Sequence, residues 1–377
     1  MRAMPTFDLK RFFNQAAAQT ARANLSPSFA EPLGTPDLLA LEPDAAERLA
    51  ALPLGYTTAF GGSELLDAVA ARYDRLEPGQ IVATCGGDDA LSSLFMALLQ
   101  PGDHVIVHSP VYQPLTSVAT WCGAEVTLWA AEEEAGWEPP LDRLAHLLRA
   151  TTRMIVVNFP HSPTGYVPDL AYLDRLVAIA EDAGCLLVGD EIYRGLPLDG
   201  AVEPPSLADL SARAVTLNSV SKTYGLPGLR VGWLATRNED VRDAVRAFRM
   251  HLNTYLGAPV EFLAALAVRH SNRILAGNIA LAQTNLSLLD AFLARHADRF
   301  VCVRPRGGVV AYPRWLGDET TGALSARLLR DHGLLLASSA HFAGGERHVR
   351  LGFGTAAFPT GLTLLEQSMQ TSNAATD

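Results

Sequence analysis

The sequence is poor in the features that mark several specialised classes of protein. Its 377 residues include four cysteines, Cys85, Cys122, Cys185 and Cys302, and none of them lies in a Cys-x-x-Cys pair or in a Cys/His pairing that would bring metal ligands together. Such scatter is not typical of a zinc site or of a disulfide framework. We therefore expect no metal centre, reduced thiols and a cytoplasmic location.

Long apolar runs and an excess of positive charge are also missing. The chain has no apolar stretch of about eighteen residues, the length that a membrane helix requires, and its first ten residues do not form a signal-peptide core. Asp and Glu outnumber Lys and Arg by 40 to 30, the formal net charge is -10, and the two signs are interleaved. Because nucleic-acid-binding surfaces are strongly basic, we expect neither nucleic acid nor a membrane as a partner.

What is present is the composition of a globular protein. Apolar residues make up 49% and charged residues 19% of the chain, which leaves little room for disorder. A chain of this length accommodates one large domain and a smaller one. From about residue 63 onward, helical patterns alternate with short apolar runs bounded by turn residues. This rhythm is typical of an α/β domain with a mostly parallel sheet.

The alternation predicts the positions of the elements. Strands are expected at 80–84, 104–108, 125–129, 153–157, 185–189, 214–218 and 229–235, and helices at 63–73, 88–99, 112–121 and 169–183. Ser63 and Asp169 are expected to cap two of these helices. The chain is then mainly helical to about residue 299, and strands at 300–303, 309–312 and 348–353 follow with helices at 322–331 and 361–369. We expect a large domain over 46–275 and a small α+β domain over 276–377. The N-terminal segment 1–45 is expected to join the small domain.

The most informative segment is 218–233, in which a lysine has hydroxyls before it and a cation after it. A lysine that holds a carbonyl cofactor as a Schiff base needs a fixed backbone, neighbouring hydroxyls and a cation for a phosphate. Lys222 follows Ser219 and Ser221 and precedes Arg230 by eight positions, with glycines and a proline between them. A surface lysine in a Gly/Pro loop is the ordinary alternative, and these neighbours make it the weaker one.

This segment resembles the Schiff-base lysine segment, Ser-x-Ser-Lys followed by Gly-Leu-x-Gly-x-Arg-x-Gly, of the class I/II aminotransferases, which are fold-type I enzymes that use pyridoxal 5'-phosphate (PLP). The resemblance implies an aspartate-aminotransferase-like α/β fold, with a mostly parallel central sheet in a large PLP-binding domain and a smaller α+β domain. It also implies that Lys222 holds the cofactor aldehyde, that Arg230 pairs with the phosphate, and that Ser219 and Ser221 donate hydrogen bonds beside it.

A carboxylate at the end of a buried strand is needed to pair with the pyridine nitrogen of PLP. Residues 186–189 are apolar or glycine, and Asp190 follows them directly. Asp190 and Tyr193 match the family's Asp-x-x-Tyr pattern. We expect Asp190 to keep the ring nitrogen protonated and Tyr193 to donate a hydrogen bond to the phenolate oxygen. A solvated pair of acids, Asp190 and Glu191, at the end of a strand is the alternative interpretation.

The phosphate of PLP needs backbone N–H groups at the beginning of a helix. The segment 84–91 follows a predicted strand and opens a predicted helix, so we expect the amides of Gly87 and Asp88 to bind the phosphate. The family usually has a small residue and then Ser or Thr at these two positions. Because an ionised Asp88 would repel a phosphate, we expect its side chain to turn away as a helix cap.

Further roles follow from the resemblance. Tyr112 falls where the family places the ring that stacks on the cofactor, and Tyr56 where a tyrosine reaches the phosphate of a neighbouring subunit, which implies a homodimer with shared active sites. Ser162 replaces the asparagine of the family's Asn-Pro-Thr-Gly segment, and it is a shorter donor to the phenolate oxygen. Arg350 matches the arginine that binds the substrate α-carboxylate, and Gly34 the backbone amide that binds the same group.

The implied activity is a PLP-dependent reaction of a small-molecule amino acid. We expect the enzyme to form an external aldimine with an L-amino acid and to remove its α-proton with Lys222, and transamination is the default outcome. Segments 157–165, 224–233 and 306–314 are also similar to the capreomycidine synthases, which are PLP-dependent cyclases of antibiotic biosynthesis. The alternative is a cyclase or a β/γ-elimination-replacement enzyme that acts on an arginine-type or other activated amino acid.

A third hypothesis is a regulator domain of the same fold that binds PLP without turnover. Such regulators need a DNA-binding module. The sequence has neither a basic helix-turn-helix segment before residue 40 nor a basic face. We therefore expect an enzyme.

Overall fold

The computed structural model describes residues 4–373, which fold around one large sheet and three small ones. The helices are Asp8–Phe13 (α1), Ala16–Gln19 (α2), Thr35–Leu39 (α3), Ala45–Ala50 (α4), Ser63–Ala70 (α5), Gly87–Leu98 (α6), Pro114–Cys122 (α7), Leu141–Leu147 (α8), Leu170–Asp182 (α9), Leu207–Leu210 (α10), Glu239–Arg249 (α11), Ala258–Arg269 (α12), Ser271–Arg295 (α13), Thr321–His332 (α14) and Phe358–Asn373 (α15). The strands are Ala23–Asn24 (β1), Ile81–Thr84 (β2), His104–Ser109 (β3), Glu125–Ala130 (β4), Thr152–Asn158 (β5), Leu186–Asp190 (β6), Ala214–Ser219 (β7), Gly232–Thr236 (β8), Phe300–Val301 (β9), Val310–Ala311 (β10), Arg314–Trp315 (β11), Leu334–Leu335 (β12), Ala337–Ser338 (β13) and Val349–Gly352 (β14).

The large sheet has seven strands in the order β2-β8-β7-β6-β5-β3-β4. β8 runs antiparallel to β2 and β7, and the other neighbours are parallel. The mostly parallel α/β fold is thereby confirmed. Six of the seven predicted strands agree with the observed ones to within one residue at each end.

The strands of the sheet interior are buried on both faces, because helices cover each side. Successive side chains of a strand point to opposite faces. Ile106 and Ile155 pack in one apolar cluster with residues of α8 and α9. Their neighbours Val105, Val107 and Val156 pack in another cluster with residues of α6 and α7. This double burial explains the near-continuous apolar runs that made these strands predictable.

The predicted start of the last strand at residue 229 is wrong. Pro227–Leu229 form a 3-10 turn, Arg230 has a left-handed φ of 52°, and β8 begins at Gly232. The alternation of apolar residues continues through the turn and conceals it from pattern analysis. The turn has a consequence for function, because it brings the Arg230 guanidinium against the backbone of Gly86.

Helix caps were predicted with mixed success. Asp169 caps α9 as expected, since its carboxylate accepts a hydrogen bond from the Tyr172 amide at 2.7 Å. Ser63 does not cap α5, because it is the first helical residue and Gly62 holds the cap position without a side-chain bond. The helix predicted at 361–369 is longer and spans Phe358–Asn373.

The chain after α12 builds small sheets around a second apolar cluster. β10 and β13 both pair antiparallel with β14, and β9 pairs with β11. The early strand β1 pairs parallel with the late strand β12, so residues near position 24 lie against residues near position 335. The division of the chain into domains at 1–45, 46–275 and 276–377 stays a prediction. Residues 1–3 and 374–377, at the two ends of this division, lie outside the described residues.

Among residues 4–373, no helix is both long and apolar enough to cross a membrane. In the same range, no group of three or more His, Cys, Asp and Glu side chains is placed to hold a metal ion. The four cysteines are free thiols.

Candidate active site

A cavity of about 370 Å³ lies at the carboxyl ends of the parallel strands, and we call it the central cavity. Asn158, Asp190 and Ser219 are the last residues of β5, β6 and β7, and all three line it. Ligands of parallel α/β sheets bind at this edge, because the strand ends and the following loops converge there.

Eleven of the thirteen predicted site residues line the central cavity. They come from six separate parts of the chain and are Gly87, Asp88, Tyr112, Ser162, Asp190, Tyr193, Ser219, Ser221, Lys222, Arg230 and Arg350. The fold therefore brings together residues that are up to 263 positions apart, from Gly87 to Arg350.

Lys222 is partly buried and lines the central cavity together with two cations, Arg230 and Arg350, and two carboxylates, Asp88 and Asp190. Burial lowers the pKa of its amine to about 8, and the nearby charge of Arg350 acts in the same direction. Its Nζ donates a hydrogen bond to the Ser28 hydroxyl at 2.8 Å. Since only the neutral amine is a nucleophile or a base, this shift makes Lys222 far more reactive near neutral pH than an ordinary lysine.

Asp190 and Tyr193 lie beside the lysine at the end of β6. Burial raises the pKa of the Asp190 carboxyl to about 7, against the hydrogen bond that it accepts from the Ile192 amide. Burial also raises the pKa of the Tyr193 phenol. The Tyr193 hydroxyl donates to the Ser28 carbonyl at 2.8 Å and lies within hydrogen-bonding reach of Ser162. A buried carboxyl with such a pKa favours a cationic partner.

The loop before α6 forms an anion cradle with Arg230. Gly86 has a φ of 90°, and a Cβ on it would lie 2.7 Å from Nη2 of Arg230, so a side chain there would displace the guanidinium. The helix that begins at Gly87 presents unpaired N–H groups to this space. Nη1 of Arg230 lies 3.4 Å from the Ser221 hydroxyl. Backbone amides, a helix dipole and a guanidinium thus converge where a phosphate would bind.

The expectation that Asp88 caps this helix is wrong. Gly86 is the cap residue, and Asp88 directs its carboxylate into the central cavity, where it binds Lys10 and Tyr112. The neighbour Asp89 reaches back instead, and its carboxylate accepts a hydrogen bond from the Cys85 amide at 2.7 Å. An acid at the third helical position is a known signal for such a backbone bond, so the sequence contained the correct candidate.

Asn158 was not predicted and connects two of the predicted residues. Its Nδ2 donates to the Asp190 carbonyl at 2.8 Å, and its Oδ1 accepts from the Ser162 amide at 2.7 Å. The Ser162 hydroxyl is therefore held near Tyr193 by the backbone geometry that Asn158 fixes. The Tyr112 ring lines the same cavity and packs edge-on against Phe7.

Arg350 is a buried guanidinium with unused hydrogen-bonding capacity. Its side chain is 3% exposed, Nη2 donates to the Ser26 carbonyl at 2.9 Å, and the guanidinium lies over the Phe342 ring. Its Nε has no partner among the described residues. Burial lowers the pKa of Arg350. Because an uncompensated buried charge is unfavourable, this group calls for an anion, and a carboxylate matches its planar fork.

Two predicted residues do not line the central cavity. Tyr56 is 90% exposed and stacks on Tyr255 at 4.8 Å between ring centroids. Gly34 precedes α3, and its amide donates to the Asp37 carboxylate at 3.1 Å. The expected contacts of Tyr56 with a second subunit and of Gly34 with a substrate carboxylate stay predictions.

Eight lining residues were missed by sequence analysis. They are Phe7, Leu9, Lys10, Phe13, Ser28, Asn158, Ile192 and Pro227. Phe7 precedes α1, and Leu9, Lys10 and Phe13 lie on it. This helix of six residues is too short to give a periodic signal. Ser28 lies in an irregular segment, and only the tertiary fold brings it to Lys222.

The residues present fit PLP. A reactive amine, a buried carboxyl, an anion cradle and an aromatic ring all line one cavity, as an aldehyde, a pyridine nitrogen, a phosphate and a ring face require. Arg350 is not needed for any of these parts of the cofactor, so it is free to bind an anionic group of a second molecule.

Residues 44–358 match the family model described as aminotransferase class I and II. The chain is 34% identical to capreomycidine synthase of Streptomyces vinaceus over 357 residues, which cover 93% of this chain and 90% of that protein. The fold is similar to that of a PLP-dependent aminotransferase from Streptococcus suis, with a TM-score of 0.92, 32% identity and coverage of 98% of this chain and 99% of the other. It is also similar to the PLP-dependent cyclase OrfR, with a TM-score of 0.88, 27% identity and coverage of 99% and 98%.

Proposed function

Because the chain belongs to the class I and II aminotransferase family and is a PLP-dependent enzyme, we propose that the central cavity is its active site and that Lys222 is the catalytic lysine. The observation that carries this proposal is that Lys222 and Asp190 line one cavity, each with a pKa shifted toward neutrality. The substrate is an amino acid, and the reaction begins with removal of its α-proton.

Each part of the cofactor has a candidate partner. The Lys222 amine would bind the aldehyde, Asp190 the pyridine nitrogen, and Tyr193 and Ser162 the phenolate oxygen. The amides of Gly87 and Asp88, the guanidinium of Arg230 and the hydroxyls of Ser219 and Ser221 would bind the phosphate, and Tyr112 the ring face. Their convergence on one cavity supports these assignments.

When bound, PLP supplies an electron-withdrawing ring that stabilises negative charge at the substrate α-carbon. Asp190 increases that capacity, because its carboxylate stabilises positive charge on the ring nitrogen. Arg350 fixes the α-carboxylate and therefore the orientation of the α-proton. With cofactor and substrate bound, Nζ of Lys222 would accept that proton as a general base. Its lowered pKa leaves a useful fraction of the amine neutral at physiological pH.

Transamination is the function that the site supports best. In that reaction Lys222 would act first as the base and then as the acid, and the product would be a keto acid. The Lys222 amine donates a hydrogen bond to Ser28, and among the described residues no second lysine or histidine is hydrogen-bonded to it. One base of this kind suits a reaction in which the same group moves a proton from one carbon to another.

Cyclisation or β/γ elimination with replacement is the second candidate. Two of the similar proteins carry names of this kind, capreomycidine synthase and the cyclase OrfR. Ser162 also supports it, because a serine hydroxyl reaches less far than an amide and changes the hydrogen bonding around Tyr193. In this case the proton stays with Lys222 while a group leaves the substrate side chain.

A panel of amino acids, with L-arginine and hydroxylated arginine among them, separates the two. Each is mixed with the holoenzyme without a keto-acid acceptor, and the absorbance of the cofactor and the mass of the product are followed together. Transamination predicts a keto acid and conversion of the cofactor to its amine form. A product that has lost a side-chain group or gained a ring, while the cofactor keeps its aldehyde form, would replace transamination with the second candidate.

We further propose a homodimer with shared active sites, located in the cytoplasm and divided into domains at residues 45 and 275. Leu54, Tyr56 and Leu252 are 84%, 90% and 61% exposed, and large apolar side chains left in solvent support a subunit interface. The four free cysteines are consistent with a reducing compartment. Sedimentation at micromolar concentration is expected to give a dimer, and a monomer would contradict the shared sites.

A further inference from the structure

Lys10 and Lys222 are the only lysines in the sequence, and both line the central cavity. Lys10 lies on α1, and its Nζ pairs with Oδ2 of Asp88 at 3.0 Å. The Lys10 side chain is 59% exposed and that of Asp88 39%. The other 28 of the 30 Lys and Arg residues are arginines, so Lys10 is the one side-chain ammonium besides Lys222.

Asp88 is the fixed member of the pair. It lies in the first turn of the twelve-residue α6, and its Oδ1 accepts a hydrogen bond from the Tyr112 hydroxyl at 3.0 Å. Burial acts to raise the pKa of Asp88, but the Lys10 charge and the Tyr112 bond outweigh it, and the pKa lies below its ordinary value. Lys10, by contrast, ends a long flexible stem on a helix of six residues.

The other charges of the central cavity have partners in the proposed function. Among the described lining residues they are Asp190, Lys222, Arg230 and Arg350. The cofactor ring, its aldehyde, its phosphate and the substrate α-carboxylate account for these four. The Asp88 carboxylate is then the one anion among the described lining residues that neither the cofactor nor the α-carboxylate uses, and its partners Lys10 and Tyr112 line the same cavity.

We propose that Asp88 is a specificity-determining residue that binds a cationic group, of the guanidinium or ammonium class, on the substrate side chain. The Lys10 ammonium holds this place in the free enzyme, and the substrate cation displaces it. The inference rests on the proposed function and adds to it the substrate class and the residue that selects it. Charge-assisted pairing with a carboxylate is the strongest way in which a protein selects such a group.

The opposite assignment would be an anionic side chain on Lys10, with Asp88 released. It is disfavoured because it would leave the less mobile and more buried charge of the pair without its partner. The two assignments predict opposite effects of removing Lys10.

The test uses holoenzyme and two variants that keep shape but remove one charge each. Asp88→Asn retains an acceptor for Tyr112, and Lys10→Met retains an unbranched stem but removes the ammonium, which lies 5.0 Å from the centroid of the Phe7 ring. A surface control, Glu132→Gln, breaks an exposed ion pair with Arg143 and changes the net charge equally with Asp88→Asn. Dissociation constants come from the cofactor absorbance change on titration with L-arginine, its neutral isostere L-citrulline, L-glutamate and L-glutamine, scaled to cofactor content.

Wild type and Glu132→Gln are expected to bind L-arginine about tenfold tighter than L-citrulline, which is the effect of one charge-assisted hydrogen bond. The ratio falls to near one in Asp88→Asn, and Lys10→Met binds L-arginine at least as tightly as wild type. Equal binding of L-arginine and L-citrulline by wild type, or a preference that survives in Asp88→Asn, would overturn the proposal and leave the proposed function intact.

A preference for L-glutamate over L-glutamine that disappears in Lys10→Met would assign the site to anions instead and equally overturn the proposal. A holoenzyme whose absorbance responds to none of the four amino acids would count against the proposed function itself, and the cation site would be lost with it.

Discussion

The Asp190→Asn substitution is expected to stabilise the cofactor-free protein while weakening the bound state. Asp190 is 6% exposed, and its carboxylate accepts a hydrogen bond from the Ile192 amide. An asparagine has nearly the same shape and accepts the same bond, but it carries no charge. The substitution therefore isolates the free energy of ionising one buried carboxyl in the active site.

The magnitude follows from the raised pKa. Burial raises the pKa of Asp190 from 3.8 to about 7. A tenfold change in a protonation equilibrium corresponds to about 1.36 kcal/mol. A carboxyl whose pKa is higher in the folded state destabilises the fold when it ionises. Its penalty is absent below pH 3.8, grows as the pH rises to 7, and is constant above 7 at about 4 kcal/mol.

The assay is urea unfolding of the cofactor-free proteins at two pH values. Asp190→Asn should exceed wild type in unfolding free energy by about 2 kcal/mol at pH 5 and by about 4 kcal/mol at pH 8. Adding PLP should stabilise wild type more than the variant, because the variant lacks the charge that pairs with the ring nitrogen. A difference in unfolding free energy that is equal at the two pH values would refute the reasoning.

Glu191→Gln is the matched control for the cofactor effect. Glu191 is adjacent, buried, and has a pKa that burial raises to about 7, but it does not line the central cavity and instead accepts hydrogen bonds from Ser206 and Leu207. Its affinity for PLP should equal that of wild type. An equal loss of affinity in both variants would show that Asp190 has no special role.

Two further predictions concern groups at the edge of the site. Asp89→Ala should lower the free energy of unfolding by roughly 3–5 kcal/mol in urea, because it removes the carboxylate partner of the buried Arg249 guanidinium and the acceptor of the Cys85 amide. Arg249 then keeps only neutral acceptors, on Ser93 and Asn253, and Asp89→Asn should lower the free energy less. Arg350→Met should raise the KM for an amino acid by about tenfold or more, because the buried guanidinium no longer binds the α-carboxylate. The reaction of the corresponding amine, which lacks a carboxylate, should be unchanged. Steady-state kinetics with the two substrates measure both effects.

The large sheet was predictable because its strands are short apolar runs between turn residues. β3 and the buried part of β5 are covered on both faces, so they are short continuous runs of buried residues without an alternating pattern. The start of β8 was not predictable, since Leu229 and Val231 continue the apolar pattern through a turn. Pattern analysis reports burial, and burial alone does not reveal a left-handed residue such as Arg230.

The site was predictable where its residues lie in contiguous motifs. Lys222 and Asp190 each have neighbours of suitable chemistry within a few positions, so each could be found separately. Lys10 and Ser28 could not be found, because each meets its partner through contacts across 78 and 194 positions, and no local pattern encodes such contacts. The role of Asp88 was misjudged for the same reason, since its partner Lys10 is remote in sequence.

The most direct measurement is reduction of the holoenzyme with borohydride, followed by mass analysis of its peptides. The chain has two lysines, so the location of the cofactor adduct is unambiguous. The adduct is expected on the peptide that contains Lys222, and Lys222→Ala should fold, keep Lys10 and yield no adduct on a lysine. An adduct on Lys10 in wild type, or trapping that persists on a lysine of Lys222→Ala, would contradict the assignment of Lys222 as the catalytic amine.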